Sequence, residues 1–344
     1  LSEVAVKKVA ILDVRKGCVV EAEDPKPKEN WALVKVHAAP MCTEYKGFLS
    51  GRPNAFLGHE ASGEVVDVAQ PCRAKRGDRV VVMPQFPCGL CPLCVSGEYI
   101  HCQTLVNFES FSGGPEGRAT MAQFMLKPDW LLPRIPDGVC YEHGGMACCA
   151  LGPTFGAFER MQVGAFDTVM VTGLGPVGLG GVVNGKHRGA RVIAVDTNPW
   201  RRECVQQLGA DEVLDPGQKG GLEKIVSMTE GLGVDKAVDC SGAVVAHRLC
   251  IDAVKRRGQV AFVGECSEDT PVKISPDLIR KGISLIGSWH YNLKDVPKLM
   301  QVVKTNAHKL DGLISHRFAM DDVQAAWELQ ASGKCAKVIL QPWA

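Results

Sequence analysis

The sequence predicts an α/β protein in two parts, a β-rich region followed by a doubly wound parallel sheet with helices on both faces. Three observations carry this expectation. Through about residue 155, short runs alternate apolar and polar side chains between Pro/Gly clusters, the pattern of half-buried strands. From about Gly156, apolar runs of four to six residues alternate with helical stretches, which indicates a parallel sheet. The length, 344 residues, suffices for about two domains with separate cores.

In the first region Ala32–Val36 and Glu64–Val68 follow the strand period, and Gly77-Asp78 turns the chain into a strand at Arg79–Met83. In the second, strands are expected at Thr168–Thr172, Val192–Val195, Glu212–Leu214, Ala237–Val238, Val260–Val263 and Leu285–Ile286. The last stretch leaves this rhythm. Ile314–Phe318 and Lys337–Leu340 read as strands flanking a helix near Asp322–Ala331, and they are able to rejoin the first region.

Composition excludes several classes. With 39 basic and 38 acidic residues the net charge is +1, so no electrostatic hold on nucleic acid or an anionic membrane is expected. Thr168–Gly185 carries no charge, but glycines and a proline punctuate it too heavily for a membrane span. Fifteen cysteines, an odd number clustered at metal-binding spacing, fit a reducing cytoplasm better than a secreted disulfide scaffold.

Four of those cysteines, Cys88, Cys91, Cys94 and Cys102, have the spacing Cys-x2-Cys-x2-Cys-x7-Cys. Four thiolates so placed can surround one zinc ion tetrahedrally and leave no open position, which marks a structural site. Further on, the expected strand Thr168–Thr172 runs directly into Gly173-x-Gly175-Pro176-Val177-Gly178 and then a helical stretch. A second strand ends at Asp196, 23 residues past the first glycine. Strand, glycine turn, helix and distal acid together form a dinucleotide-binding fingerprint. The glycines permit a tight turn and close approach of a pyrophosphate to the helix N-terminus. Asp196 can accept from the adenosine ribose hydroxyls and repel a 2′-phosphate, so NAD is expected over NADP; Arg201 and Arg202 are the cations able to reverse that preference.

Catalytic zinc needs three protein ligands and an open position, and Cys42, His59 and Cys149 are candidates. The string Gly58-His59-Glu60-x-x-Gly63-Glu64-Val65-Val66, with Cys42 upstream, resembles the zinc-dependent medium-chain dehydrogenase/reductase (alcohol and polyol dehydrogenase) family. Gly77-Asp78-Arg79-Val80, the four-cysteine lobe, Gly209-Ala210-Asp211, Ile314–Phe318 and Gly333-Lys334-x-x-Lys337-Val338 extend the resemblance, in order, over nearly the whole chain. It implies a GroES-like catalytic domain from residues 1–155 and 291–344, with the structural zinc lobe at about 86–103, around a Rossmann NAD-binding domain at 156–290. It implies Cys42 and His59 as catalytic zinc ligands, with Glu60 in or beside the coordination shell. The third ligand falls at Cys148-Cys149, and matching Ala150, Phe155 and Ala157 to the following helix favours Cys149. Cys240, Val263, Gly264, Ser288, Trp289 and Lys337 join the cofactor site by the same resemblance. Trp289, His290 and Tyr291 fall where the family lines its substrate pocket.

One departure stands out. The family follows its first ligand with Cys-x-Ser/Thr-Asp and often a histidine that relays the substrate proton. This chain reads Cys42-Thr43-Glu44-Tyr45-Lys46-Gly47, as if one residue were deleted, and lacks that histidine. Thr43 is the remaining candidate for the relay hydroxyl. Polar Glu44, Lys46 and His290 tilt the expected substrate toward a polar secondary alcohol or polyol. Hydride transfer between NAD and such an alcohol, with two zinc ions per chain in a homodimer or homotetramer, is the function implied. The rivals are an NADP-dependent reductase of the same family, a zinc-independent quinone or enoyl reductase on this fold, and a non-catalytic zinc-stabilised dinucleotide-binding protein.

Overall fold

The computed structural model describes residues 6–218 and 220–344. The chain divides into two compact units. The first runs to Cys148 and takes up Asn292–Leu310 and Ile314–Ala344 again; the second is Cys149–Tyr291 with Asp311–Leu313.

The first unit opens with a hairpin of β1 (Val6–Asp13) and β2 (Lys16–Ala22). Its central strand is β3 (Trp31–Pro40), whose residues Ala32, Val34 and Val36 are all fully buried, as the period-two alternation requires. Strand β3 pairs antiparallel with β4 (Ala61–Val68), and β4 with β5 (Arg79–Val82). Strand β6 (Phe124–Pro128) also pairs with β3. Cys42 therefore leaves the end of β3, while His59 and Glu60 lead directly into β4.

The second unit is a six-stranded parallel sheet of β7 (Thr168–Thr172), β8 (Arg191–Val195), β9 (Glu212–Leu214), β10 (Val234–Asp239), β11 (Val254–Phe262) and β12 (Ser284–Gly287). The spatial order is β12-β11-β10-β7-β8-β9. Met170, Ile193, Ala237 and Val260 are fully buried, which explains why these strands read as continuous apolar runs. From β7 the chain winds outward one way through β8 and β9, then returns to β10 on the other side. Strand order thus reverses between β7 and β10, the place where open α/β sheets bind ligands beyond the strand C-termini.

The final strands, β13 (Ile314–Ala319) and β14 (Lys337–Gln341), run parallel to each other, and β14 adds antiparallel to β3. The C-terminal segment thus rejoins the first unit. Between them the helix Val323–Ser332 buries Val323, Ala326 and Trp327 in that unit's core, with the Trp327 ring 5.2 Å from Phe48. Among the described residues no helix is long and apolar enough to cross a membrane.

Candidate metal centres and dinucleotide site

The four-cysteine lobe is held by turns that leave all thiols facing inward. Cys91 precedes the one-turn helix Pro92–Val95, which carries Cys94, and the short helical turn Tyr99–His101 delivers Cys102. Measured Sγ–Sγ separations are 3.9 Å for Cys88–Cys94, 3.5 Å for Cys91–Cys94, 3.9 Å for Cys91–Cys102 and 3.6 Å for Cys102–Cys88. A ZnS4 tetrahedron with bonds of about 2.3 Å has edges of about 3.8 Å, so the sulfurs fit this ion and are too far apart for disulfides. Backbone N–H groups of Leu90 and Cys91 donate to Cys88 Sγ, at 3.5 and 3.3 Å, and bring its thiol down to about 6. Such donors stabilise thiolate, the form that binds metal.

A second donor set gathers Cys42, His59, Glu60 and Cys149, whose ligand atoms all lie within 4.8 Å of one another. Cys149 occupies the turn after Cys148. Cys148 itself is buried and its Sγ–H donates to the Val82 carbonyl at 3.3 Å, so of the adjacent pair it is Cys149 that joins the set. Two thiols, an imidazole and a carboxylate are a donor chemistry suited to zinc. Glu44 shapes this set from outside. Its Oε1 lies 2.8 Å from His59 Nδ1, and its Oε2 accepts from Cys42 N at 2.9 Å. With Nδ1 committed to a carboxylate, Nε2 is the nitrogen left for a metal. Burial opposes charge on His59, but Cys42 and Glu44 outweigh it and push the imidazole up to about 11. The surroundings thus favour positive charge at this point, and metal binding must displace the Nε2 proton.

Glu60 is fully buried, and Lys337 Nζ donates to its Oε1 at 2.6 Å. Burial raises the Glu60 carboxyl to about 7, with Lys337 pulling the other way. Lys337 lies in the first unit, paired with Glu60, and its side chain is fully buried. The Glu44 side chain is 9% exposed and engaged with Cys42 and His59. Thr43 is exposed on the loop between them, and its carbonyl accepts from Lys46 N.

In the second unit β7 ends in Gly173, whose φ is +79° and whose Cβ, if present, would lie 2.6 Å from Ser241 N. A Cβ on Gly178 would lie 2.0 Å from Gly173 O. Gly175 caps the helix Pro176–His187, which has Pro176 and Val177 in its first turn, and a Cβ there would meet nothing nearer than Arg201 Nη1 at 3.9 Å. The loop is therefore tight where it packs and open where a phosphate would approach. Asp196 follows β8. Its Oδ2 accepts from Leu174 N at 2.6 Å and its Oδ1 from Asn198 N at 2.7 Å, which fixes the carboxylate against the glycine loop. Arg201 Nη1 lies 3.9 Å from Asp196 Oδ2, and its buried Nε has no hydrogen-bond partner among the described residues. Arg202 is occupied by the carbonyls of Asp196 and Thr197 and by Asp215. Ser288, after β12, also has a buried hydroxyl without a partner among the described residues. These orphaned polar atoms, with the open glycine turn, fit a dinucleotide.

The remaining predicted residues fall as follows. Burial holds the Cys240 thiol well above its usual range, which disfavours a nucleophilic role. Val263 and Gly264 donate their N–H groups to the Asp239 carbonyl at 2.9 and 3.0 Å. Trp289 is 44% exposed, whereas His290 and Tyr291 are buried and stack at 4.7 Å. The buried carboxylate of Asp239, which accepts from Thr172 and Ser241, and the Glu44 contacts to His59 and Cys42 carry no signal in the sequence pattern.

A GroES-like strand assembly carrying two zinc-type donor sets, with a parallel sheet carrying a dinucleotide turn, defines a class of zinc-dependent dehydrogenases. Comparison with known proteins agrees. Residues 28–137 match the model of the alcohol dehydrogenase GroES-like domain, and residues 176–305 match that of the zinc-binding dehydrogenase. The chain is 33% identical to the uncharacterized zinc-type alcohol dehydrogenase-like protein YphC of Escherichia coli (strain K12), over 88% of this chain and 83% of that one. It is 29% identical to L-threonine 3-dehydrogenase of Pyrococcus horikoshii, over 97% and 98%. Sorbitol dehydrogenase of Bacillus subtilis is 28% identical over 90% of each. In fold it is similar to the alcohol dehydrogenase TADH from Thermus sp. ATN1, with a TM-score of 0.88, 24% identity, and coverage of 97% of this chain and 99% of that chain. The chain belongs to the zinc-type alcohol dehydrogenase family, and is a zinc-dependent oxidoreductase that uses a nicotinamide cofactor and acts on CH–OH groups.

Proposed function

We propose that the protein interconverts a polar secondary alcohol or polyol and its ketone with NAD. The observation that carries this reading is the gathering of Cys42, His59, Glu60 and Cys149 into one donor set. When bound, zinc supplies Lewis acidity toward the alcohol oxygen and the nicotinamide accepts the hydride. The chain's own residues do the rest. Glu44 holds His59 in the tautomer that presents Nε2 and tethers Cys42 through its backbone. Lys337 donates to Glu60 Oε1 and favours its carboxylate form against the burial that opposes it. Thr43 Oγ1, next to Cys42 and open to solvent, accepts the alcohol proton and passes it to water.

In this reading residues 1–155 and 291–344 hold two zinc ions, the closed one at Cys88, Cys91, Cys94 and Cys102. Residues 156–290 hold the cofactor. Asp196 favours NAD, since its fixed carboxylate would face a 2′-phosphate; Arg202 is occupied elsewhere, and Arg201, 3.9 Å from that carboxylate, is a cation that could favour NADP. The names of the sorbitol and L-threonine 3-dehydrogenase relatives support a hydroxyl on a polar carbon chain. Fifteen free cysteines support a reducing cytoplasm, and a homodimer or homotetramer is the expected assembly. The test is a panel of simple alcohols, polyols and hydroxy amino acids offered with NAD or NADP, read by absorbance of the reduced cofactor. Turnover confined to simple primary alcohols, or faster with NADP, contradicts the proposal.

A further inference from the structure

A buried histidine in the second unit stands outside all of this. His247, on the helix Val244–Ala253, is 5% exposed. Its Nδ1 lies 2.6 Å from Thr270 Oγ1, and its Nε2 lies 3.2 Å from Asp239 Oδ2. The Nε2 contact is off the line of a good hydrogen bond, and among the described residues Nε2 has no other partner. Electrostatics choose the tautomer. A bare Nε2 lone pair would face a carboxylate, so Nε2 carries the proton and Thr270 donates its hydroxyl proton to Nδ1.

The residues joined in this way are far apart in sequence and sit around the strand-order reversal. Asp239 ends β10 and is fully buried. Its Oδ1 accepts from Thr172 Oγ1 at 2.9 Å and Ser241 Oγ at 2.6 Å, and its Oδ2 from Gly242 N at 2.9 Å. Thr172 ends β7, one residue before the glycine turn. The turns after β7, β10 and β11 meet backbone to backbone. A Cβ on Gly173 would strike Ser241, and one on Gly264 would lie 2.2 Å from Gly242 N. With no side chains between them, none of the three turns can shift alone. Thr270 lies farther along the segment 263–273, which also carries Glu265, Glu268 and Asp269.

We infer that His247 is a positioning residue for dinucleotide binding: it ties Thr270, and with it segment 263–273, to the Asp239 carboxylate that sets the turns around the glycine loop. Without the tie, the segment's three carboxylates are freer to approach a bound pyrophosphate. The inference rests on the dinucleotide site proposed above.

The test is direct titration of the full-length, zinc-loaded protein with NADH, followed by fluorescence. His247→Leu and Thr270→Val should each weaken NADH binding by about threefold to tenfold, the range set by one lost buried hydrogen bond. The double variant should bind no more weakly than His247→Leu alone, because both remove one tie. His247→Gln, whose amide both donates and accepts, should recover part of the loss. Zinc content and the KM for the alcohol should stay at wild-type values, which a general loss of structure would not allow. Unchanged NADH affinity in Thr270→Val, or losses that add in the double variant, would overturn the inference. Should His247→Leu fail to fold, Thr270→Val decides alone. A wild-type protein that binds neither NADH nor NADPH would remove the dinucleotide site itself, and this inference with it.

Discussion

Glu44 Oε1 sits 2.8 Å from Nδ1 of His59, fifteen residues away in sequence, while the same carboxylate accepts from the backbone N–H of Cys42. One side chain thus fixes two members of the donor set. From the loop just after Cys42 the Glu44 side chain is long enough to reach the ligand histidine.

Removing that reach should loosen the metal. Glu44→Asp, one methylene shorter, and Glu44→Ala should each lower zinc affinity at the Cys42 site by about 10–100-fold. Competition with a chromophoric chelator measures this directly. Glu44→Gln, which keeps length and one acceptor, should lose less. Equal retention in all three variants would mean that Glu44 does not orient His59.

Thr43 provides the second prediction. Thr43→Val should reduce turnover at neutral pH by at least about 10²-fold, the usual minimum for loss of an acid–base participant. Zinc content and NADH affinity should be unaffected. A loss of less than about threefold would direct attention to Tyr45 or to water.

The sequence made some of this legible and hid the rest, for identifiable reasons. The four thiols and the Gly173–Gly178 turn with Asp196 are local or regularly spaced, so their chemistry shows in the sequence itself. The strands of the parallel sheet show as apolar runs because both faces are buried. Glu44 was visible as a carboxylate near Cys42, but its partner His59 is brought to it only by pairing of β3 with β4. The Lys337–Glu60 pair depends on β14 adding to β3, a contact across 277 residues. The His247 tie depends on three separate turns meeting. Pattern reveals elements and short motifs; it does not reveal which distant polar groups meet once the elements pack.

Cofactor choice is tested at Asp196. Because its carboxylate also holds Leu174 N and Asn198 N, Asp196→Ala should weaken both cofactors by loosening the loop. The informative quantity is the ratio of the dissociation constants for NADH and NADPH, which should shift toward NADPH by tenfold or more, about 1.4 kcal/mol. A ratio equal to wild type would show that Asp196 does not read the ribose.

Lys127 gives a pH-dependent prediction unrelated to catalysis. It is fully buried at β6, against the Phe86 ring and the Gln85 carbonyl, and burial brings its amine down to about 7. Below about pH 7 folded and unfolded chains both hold the proton. Between about 7 and 10.4 the unfolded chain alone retains it, so stability rises with pH. Lys127→Met removes this dependence. The stability difference, Met variant minus wild type, should fall by up to about 1.4 kcal/mol per pH unit between pH 7 and 9 in denaturant titrations. A difference independent of pH would mean that Lys127 stays protonated in the fold.

The central claim is that Cys42, His59, Glu60 and Cys149 form a catalytic zinc centre distinct from the cysteine lobe. Metal analysis per chain, on wild type and on Cys42→Ser, tests it most directly. The account predicts about two zinc ions in wild type and about one in Cys42→Ser, with alcohol-dependent NADH formation lost in the variant. One zinc in wild type, with neither the count nor the activity altered by Cys42→Ser, would contradict it.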